Sequence, residues 1–296
     1  MSILTLLLQE AGQTATQAAQ AAEQAEAHAA AGHAGPEKFD AGHMILEHIL
    51  DSRTMELPFL GEVQLPQFHL FGFEVSVTKH VVMMWLASLI LLALGVLVAR
   101  VHRYSPGKLG HLVEMVVLFV RDELALPNIG EHGARFVPYL LSTFLFILTC
   151  NLLGLVPYCS TATGNISVTA GLALIAFVMI HAAGIQEYGV LKHLKHLIPQ
   201  GVPLWLIPIM LPVEIIGMVV KPFTLCVRLF ANMMGGHIVI LSLIGLIFIL
   251  GSWAVVPVSV GFALFINLLE LLVAFIQAYI FTMLTSLFIG MSVHPH

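Results

Sequence analysis

The stretch Leu204–Leu250, LWLIPIMLPVEIIGMVVKPFTLCVRLFANMMGGHIVILSLIGLIFIL, decides how this chain folds. It is apolar throughout except for three charges, Glu214, Lys221 and Arg228. At 1.5 Å per residue it would be roughly 70 Å long as a helix, against a bilayer hydrocarbon core of about 30 Å. Either it folds into two spans with a tight turn or it forms one helix lying steeply across the membrane. No cluster of turn residues interrupts it convincingly, so one tilted helix over about 204–250 is expected, bent at Pro208, Pro212 and Pro222, each of which removes a backbone donor. The run 254–290 raises the same difficulty and has the same reading. Tilt of this degree exceeds the common range of about 0 to 40° and makes sense if the helix pair wraps a curved protein partner.

The remaining composition agrees with a membrane protein. Hydrophobic residues make up 58% of the chain and charged residues 10%, with a mean hydropathy of +0.94, values that exclude an ordinary soluble domain. Charge is distributed unevenly. Residues 1–79 hold ten acidic and three basic groups, residues 80–296 seven and nine. Cys150, Cys159 and Cys226 lie in or beside apolar segments with no metal-knuckle or disulfide spacing, so they read as small apolar fillers.

Outward from the decisive stretch, the spans are separated by loops whose charge sets orientation. A first span is expected over about His80–Val101, closed by Arg100, Arg103 and Lys108; short basic loops mark the cytoplasmic side, which places the N-terminus outside and the C-terminus in the cytoplasm. Lys108–Leu126 mixes apolar residues with His111, Glu114, Arg121, Asp122 and Glu123, the pattern of an amphipathic helix on the membrane surface. Phe136–Tyr158 and Ile166–Gln186 form a helical hairpin around the polar loop 160–165. The basic loop with Lys192, His193, Lys195 and His196 returns the chain to the cytoplasm. Residues 1–55 are a polar arm outside the membrane, Ala-, Gln- and His-rich over 11–35 and unable to bury much. Residues 56–79 roughly alternate and suit a short extended or hairpin element. The fold class is therefore an all-α integral membrane protein: about five membrane helices, a sixth on the surface, and the last two long and strongly tilted within a membrane domain of residues 80–296.

Arg228 cannot shed its proton, and at the centre of a span it costs about 2.5 to 3.5 kcal/mol on insertion scales. Measured at about 100° per residue from Arg228, Lys221 falls near 20°, Glu214 and Asn232 near 40° and Gly235 near −20°, forming one polar stripe. His237 falls near 180° and is placed to meet a neighbouring helix. Glu270 and Gln277, seven apart with Asn267 nearby, form a second stripe on the last helix. Intramembrane ionisable groups face protein or water and mark ion paths, so Arg228, His237 and Glu270 form a candidate site. A set of structural interhelical hydrogen bonds is the bland alternative. Ala231, Gly235 and Gly236 beside Arg228 would admit another helix backbone closely. His193 and His196 lack further ligands and read as solvated loop residues, so no metal is expected. No Walker loop, HExxH or GxSxG motif occurs, and nothing points to a cofactor or a nucleic-acid partner.

The run Lys221-Pro222-Phe223-Thr224-Leu225-Cys226-Val227-Arg228-Leu229-Phe230-Ala231-Asn232-Met233-Met234-Gly235-Gly236-His237 resembles the signature of subunit a of the F-type ATP synthase, bacterial type. Ile276-Gln277-Ala278-Tyr279-Ile280-Phe281-Thr282-Met283-Leu284-Thr285 is a second match. With the hydropathy order the resemblance covers about Lys79–Met291. It implies that Arg228 is the stator arginine facing a rotor ring, that Asn232 and Gln277 flank it, and that Glu214 lies towards the cytoplasmic exit. By the same resemblance His237 and Glu270 belong to the other half-channel. Many bacterial members have a carboxylate at the place of His237 and a histidine at that of Glu270, so the pair is exchanged here. The commoner pattern also has an acidic residue after the Asn-Leu of the second span, where this chain reads Asn151-Leu152-Leu153-Gly154; Asn151 is left without a role.

The resemblance implies a multi-pass protein of the bacterial inner membrane, non-nucleotide-binding by itself. Its implied partners are a c-ring whose subunits each bear an essential carboxylate, b-type peripheral stalk subunits, the F1 head, and lipid. Proton flow through two offset half-channels would then drive ATP synthesis elsewhere in the complex. The alternative from another class is a secondary ion-coupled transporter with an intramembrane Arg/Glu/His site, for which paired inverted repeats are expected; no repeat is evident.

Overall fold

The computed structural model describes residues 54–57, 61–64, 67–70, 73–76, 78–102, 108–156, 161–190, 192, 207–253 and 255–294. The polar arm over 1–50 and the His193/His196 loop lie outside them. Two antiparallel hairpins precede the helices. Strands β1 (Thr54–Leu57) and β2 (Gly61–Gln64) pair with Thr54 opposite Gln64, and β3 (Gln67–Leu70) and β4 (Phe73–Ser76) pair with Gln67 opposite Ser76. In the sequence Pro66 stands between the hairpins, and without an N–H it cannot continue a ladder.

Helix α1 (Lys79–His102) is the first of five helices among the described residues that are long and apolar enough to cross a membrane. Helix α2 (Lys108–Leu118) continues through a π-helical segment, Phe119–Ala125, and a last α-turn, Leu126–Ile129. Its charges lie outward: Arg121 donates to Asp122 from Nε at 2.7 Å, and that hydrogen bond and the neighbouring carboxylate raise the Arg121 pKa further. Inward, Val120, Leu124 and Ile129 are fully buried. This is the amphipathic sixth helix, longer in effect than its α-helical part because the π-turn re-aims the buried face.

Helices α3 (Val137–Gly154) and α4 (Ile166–Tyr188) form the hairpin. Asn165 caps α4 by accepting from the Ser167 N–H at 2.8 Å, so the helix begins where the side chain replaces a missing carbonyl. At its other end Gly189, with φ of 78°, lets the chain turn out of the helix.

The last two helices are single and continuous: α5 (Ile207–Leu250, 44 residues) and α6 (Val256–Val293, 38 residues). Pro212 and Pro222 lie inside α5 without ending it. Each leaves one carbonyl without its helical donor and so favours curvature over a break. At roughly 66 and 57 Å, both helices are far longer than a bilayer core of about 30 Å is thick. Upright, more than half of α5 and nearly half of α6 would stand in water with apolar side chains bare, which favours an oblique lie for both.

The core forms where these two cross α3 and α4. Leu225 and Leu229 of α5 meet Ala278 and Phe281 of α6, while Leu140 and Ile147 come from α3 and Ala176 from α4. Spacings of three and four put each set on one face of its helix. Ala176 and Ala278 are among these contacts, and small residues let membrane helices approach closely, which is what drives association where lipid removes the hydrophobic gain.

Candidate functional site

Arg228 lies at the midpoint of α5. One position on, Leu229 is fully buried in the core, so the guanidinium is directed away from it and is half-buried. It makes no ion pair or hydrogen bond with another described residue. The same outward side carries Ala231 and Gly235, both exposed, and a methyl added at Gly235 would meet nothing within 4 Å.

Other members of the expected stripe behave differently. Lys221 has its Nζ 5.3 Å from the centre of the Phe288 ring on α6, a cation–π contact that offsets part of its burial. Glu214 is half-buried, fourteen residues before Arg228 and so about 21 Å from it along the axis. Asn232 reaches α6, its Nδ2 donating to Gln277 Oε1 at 2.8 Å.

His237 also meets α6. Its Nδ1 lies 3.6 Å from Glu270 Oε1, with side-chain exposures of 25% and 5%. As 232 pairs with 277 and 237 with 270, numbers rise on one helix while they fall on the other, so the helices are antiparallel. Glu270 and Gln277 share the buried face that their seven-residue spacing predicts; Asn267 is exposed. Neither Glu270 oxygen has a hydrogen-bond partner among the described residues, although both are shut off from solvent. A buried carboxyl without a donor is costly. The chemistry open to it is to hold a proton or to face a protonated imidazole, and the two groups together can hold and pass one proton.

Gly236 shapes that pair. A methyl there would fall within 2.7 Å of Glu270 Cγ and closer still to its carboxyl group, so the acid lies directly on the bare backbone. The Gly235-Gly236 doublet is therefore split: one glycine opens outward and the other makes room for Glu270. Sequence spacing placed both on the partner-facing side.

Sequence reading gave no part to Asn151, yet it is wholly buried, accepts from Thr163 Oγ1 at 2.7 Å and reaches the Ala274 carbonyl of α6. The only available signal was an Asn in an apolar span, which seldom lacks a partner. His80 is likewise buried, with Nδ1 3.0 Å from the Thr161 carbonyl.

Residues 81–290 match the family described as ATP synthase A chain. A protein named ATP synthase subunit a from Chloroherpeton thalassium is 50% identical over 264 residues, covering 87% of this chain and 78% of that one. Its namesake from Myxococcus xanthus is 55% identical over 230 residues, 75% and 76% of the two chains. ATP synthase subunit a 2 of Chlorobaculum tepidum is 48% identical over 274 residues, 90% and 77%. The match runs from α1 into α6 and includes Asn151, Glu214, Lys221, Arg228, Asn232, Gly236, His237, Glu270 and Gln277, and the chain belongs to the ATP synthase A chain family.

Proposed function

We propose that this chain is the membrane stator of a rotary ATP synthase, forming two offset proton half-channels against a rotating c-ring and so coupling proton flow to ATP synthesis. The observation that carries the finer reading is Arg228: a permanent cation in mid-helix, half-buried, with no acceptor among the described residues of its own chain. Its cost in the membrane is repaid by a carboxylate on another polypeptide.

A proton enters from outside past His237 and Glu270 and neutralises a ring carboxylate. The neutral form can enter lipid, because charge is what makes entry costly. After rotation the site meets the opposite channel near Glu214. Arg228 gives direction by favouring the charged form of the approaching carboxylate, so the proton leaves before that site passes. Asn232 and Gln277, bonded to each other, hold α5 and α6 in register beside it. About 2.3 kcal/mol per charge is available from 100 mV, so several protons are summed for each ATP made on the soluble head. This chain binds no nucleotide, and b-type stalk subunits hold it against the ring's torque. The N-terminus and both β-hairpins lie outside and the C-terminus in the cytoplasm of a bacterial inner membrane, from the basic loops.

Purification of the tagged chain from mild detergent tests this reading. A ring of small hairpin subunits, each with one membrane carboxylate, and an ATPase head are expected to accompany it. The purified chain alone catalysing solute-coupled ion flux in liposomes would contradict it.

A further inference from the structure

Seen down its axis, α6 buries one face, and one residue in the middle of that face is bare. Measured at about 100° per residue from Glu270, Phe281 falls near 20°, Ala274 near 40° and Ala278 near 80°, and all four are buried. Asn267 falls near 60° on the same measure, yet it is exposed. The cover over this face therefore stops before it reaches Asn267.

At Ala274 the cover is α3, whose Asn151 Nδ2 lies 3.5 Å from the Ala274 carbonyl. The two helices run in opposite directions. Ile129, ahead of α3, has its carbonyl 3.1 Å from His294 Nε2, while Asn151, late in α3, lies at Ala274, so numbers rise on one side as they fall on the other. Gly154 ends α3, about 4.5 Å along the axis from Asn151, whereas Asn267 stands about 10 Å along α6 from Ala274. By Asn267, α6 has run past the end of α3. The amide opens where the chain turns from α3 into α4 through a polar loop, in which Thr163 is bonded to Asn151 and Asn165 caps α4.

Little else on this stretch could lead a proton inward. Between His237 and Glu270 no residue is charged, and Asn267 has the only side-chain amide. Ser242 donates to the Ile238 carbonyl at 2.7 Å, and Ser259 is buried. An amide both donates and accepts, so it can hold water in either sense; facing lipid without a partner it would be costly. Three residues apart on one helix, Asn267 and Glu270 have Cβ atoms about 5 to 6 Å apart. The Glu270 carboxyl itself is shut off from solvent against Gly236 and His237. The opening therefore ends about one turn short of it, a step that a glutamate side chain covers by turning about its own bonds.

We infer that Asn267 lines the outer mouth of the proton path: past the end of α3 its amide faces water and holds the last hydrated step before Glu270. The inference rests on the reading of Glu270 as the carrier of protons from outside.

The test uses the intact complex in membrane vesicles whose outer surface meets the medium. Asn267→Cys and Leu268→Cys are each combined with Cys159→Ser, leaving the buried Cys150 and Cys226. Leu268 is 64% exposed and lies about 100° further round the helix. A charged, membrane-impermeant methanethiosulfonate attacks the thiolate, which forms in water and not in lipid, so it is expected to modify Asn267→Cys at least about tenfold faster than Leu268→Cys. Modification is expected to stop ATP synthesis until reductant is added. Reaction no faster than at Leu268→Cys, or with a lipid-soluble maleimide alone, overturns the inference, as does a thiol closed to both reagents because another protein covers it. Full ATP synthesis after modification overturns it too. Asn267→Leu is expected to slow synthesis about fivefold, and Asn267→Ser, which still binds water, to stay near the parental rate; no loss in the first, or equal loss in both, overturns the inference. Glu270→Gln separates the two levels. If it keeps the parental rate, the reading of the proton path fails and this inference with it, whereas a Glu270→Gln block beside an Asn267→Cys thiol closed to the impermeant reagent defeats the role of Asn267 alone.

Discussion

The outward side of α5 and the α5–α6 seam are two faces of one helix and treat polar groups in opposite ways. In the seam, Asn232 is bonded to Gln277 and His237 faces Glu270. On the outward side Arg228 stands beside exposed Ala231 and Gly235. Four polar side chains meet one another across the seam, while Arg228 on the outward side meets no acceptor among the described residues. The difference separates groups that hold the two helices together from a group that waits for a second polypeptide, and each substitution below tests on which side of that line a residue falls.

Arg228→Ala should have the largest effect. Losing a charge worth about 3 kcal/mol to a moving carboxylate corresponds to a factor of roughly 100, so proton-driven ATP synthesis and ATP-driven pumping should both fall below detection. Because the side chain holds nothing within the described chain, the amount of assembled complex, read on native gels, should not change.

The seam pair should respond next, and cooperatively. His237→Glu or Glu270→His leaves two like groups facing each other and should lower synthesis by roughly tenfold, about 1.4 kcal/mol. The double exchange keeps one acid and one imidazole and should retain more activity than either single change. Equal loss in all three would remove the pair from the seam's functional side.

Gly236→Ala sets two small terms against each other. Alanine gains about 1 kcal/mol in helix propensity, but overpacking costs about 1 to 3 kcal/mol, and the added methyl meets the Glu270 carboxyl itself. The clash should win, with activity lowered several-fold, whereas Gly235→Ala should raise the isolated chain's stability by up to about 1 kcal/mol, since its methyl meets nothing. Thermal melting of both variants checks the sign. The smallest effect belongs to Gln277→Leu: interhelical hydrogen bonds in membranes average about 0.6 kcal/mol, a roughly threefold change that turnover measurements can resolve.

Much of this contrast was legible from residues 204–250 and 254–290. Length excluded an upright helix, and the 3.6-residue repeat put Glu270 with Gln277 and set His237 apart from Arg228. Helix period says which residues share a face, but not which helix that face meets. Asn232 was therefore grouped with Arg228 although its amide turns to α6, and Gly236 was assigned to a partner although Glu270 lies on it. Asn151 was harder still. Its partners, Thr161 and Thr163, sit in what reads as an ordinary polar loop, and only the return of that loop over the end of α3 brings the hydroxyls inward. The π-turn at Phe119–Ala125 left no periodic trace, because one π-turn displaces the repeat within a segment too short to reveal it.

The central claim is that the open side of α5 is covered by the ring. Ala231→Cys, one turn from Arg228 and exposed, can be paired with a cysteine placed one turn from the ring's carboxylate in the assembled complex, and disulfide formation followed under mild oxidation. The account predicts a rapid a–c crosslink that stops ATP-driven pumping and is reversed by reductant. Failure of that crosslink in a complex that still pumps, with the Ala231→Cys thiol instead open to lipid-soluble reagents in every rotary state, would contradict it.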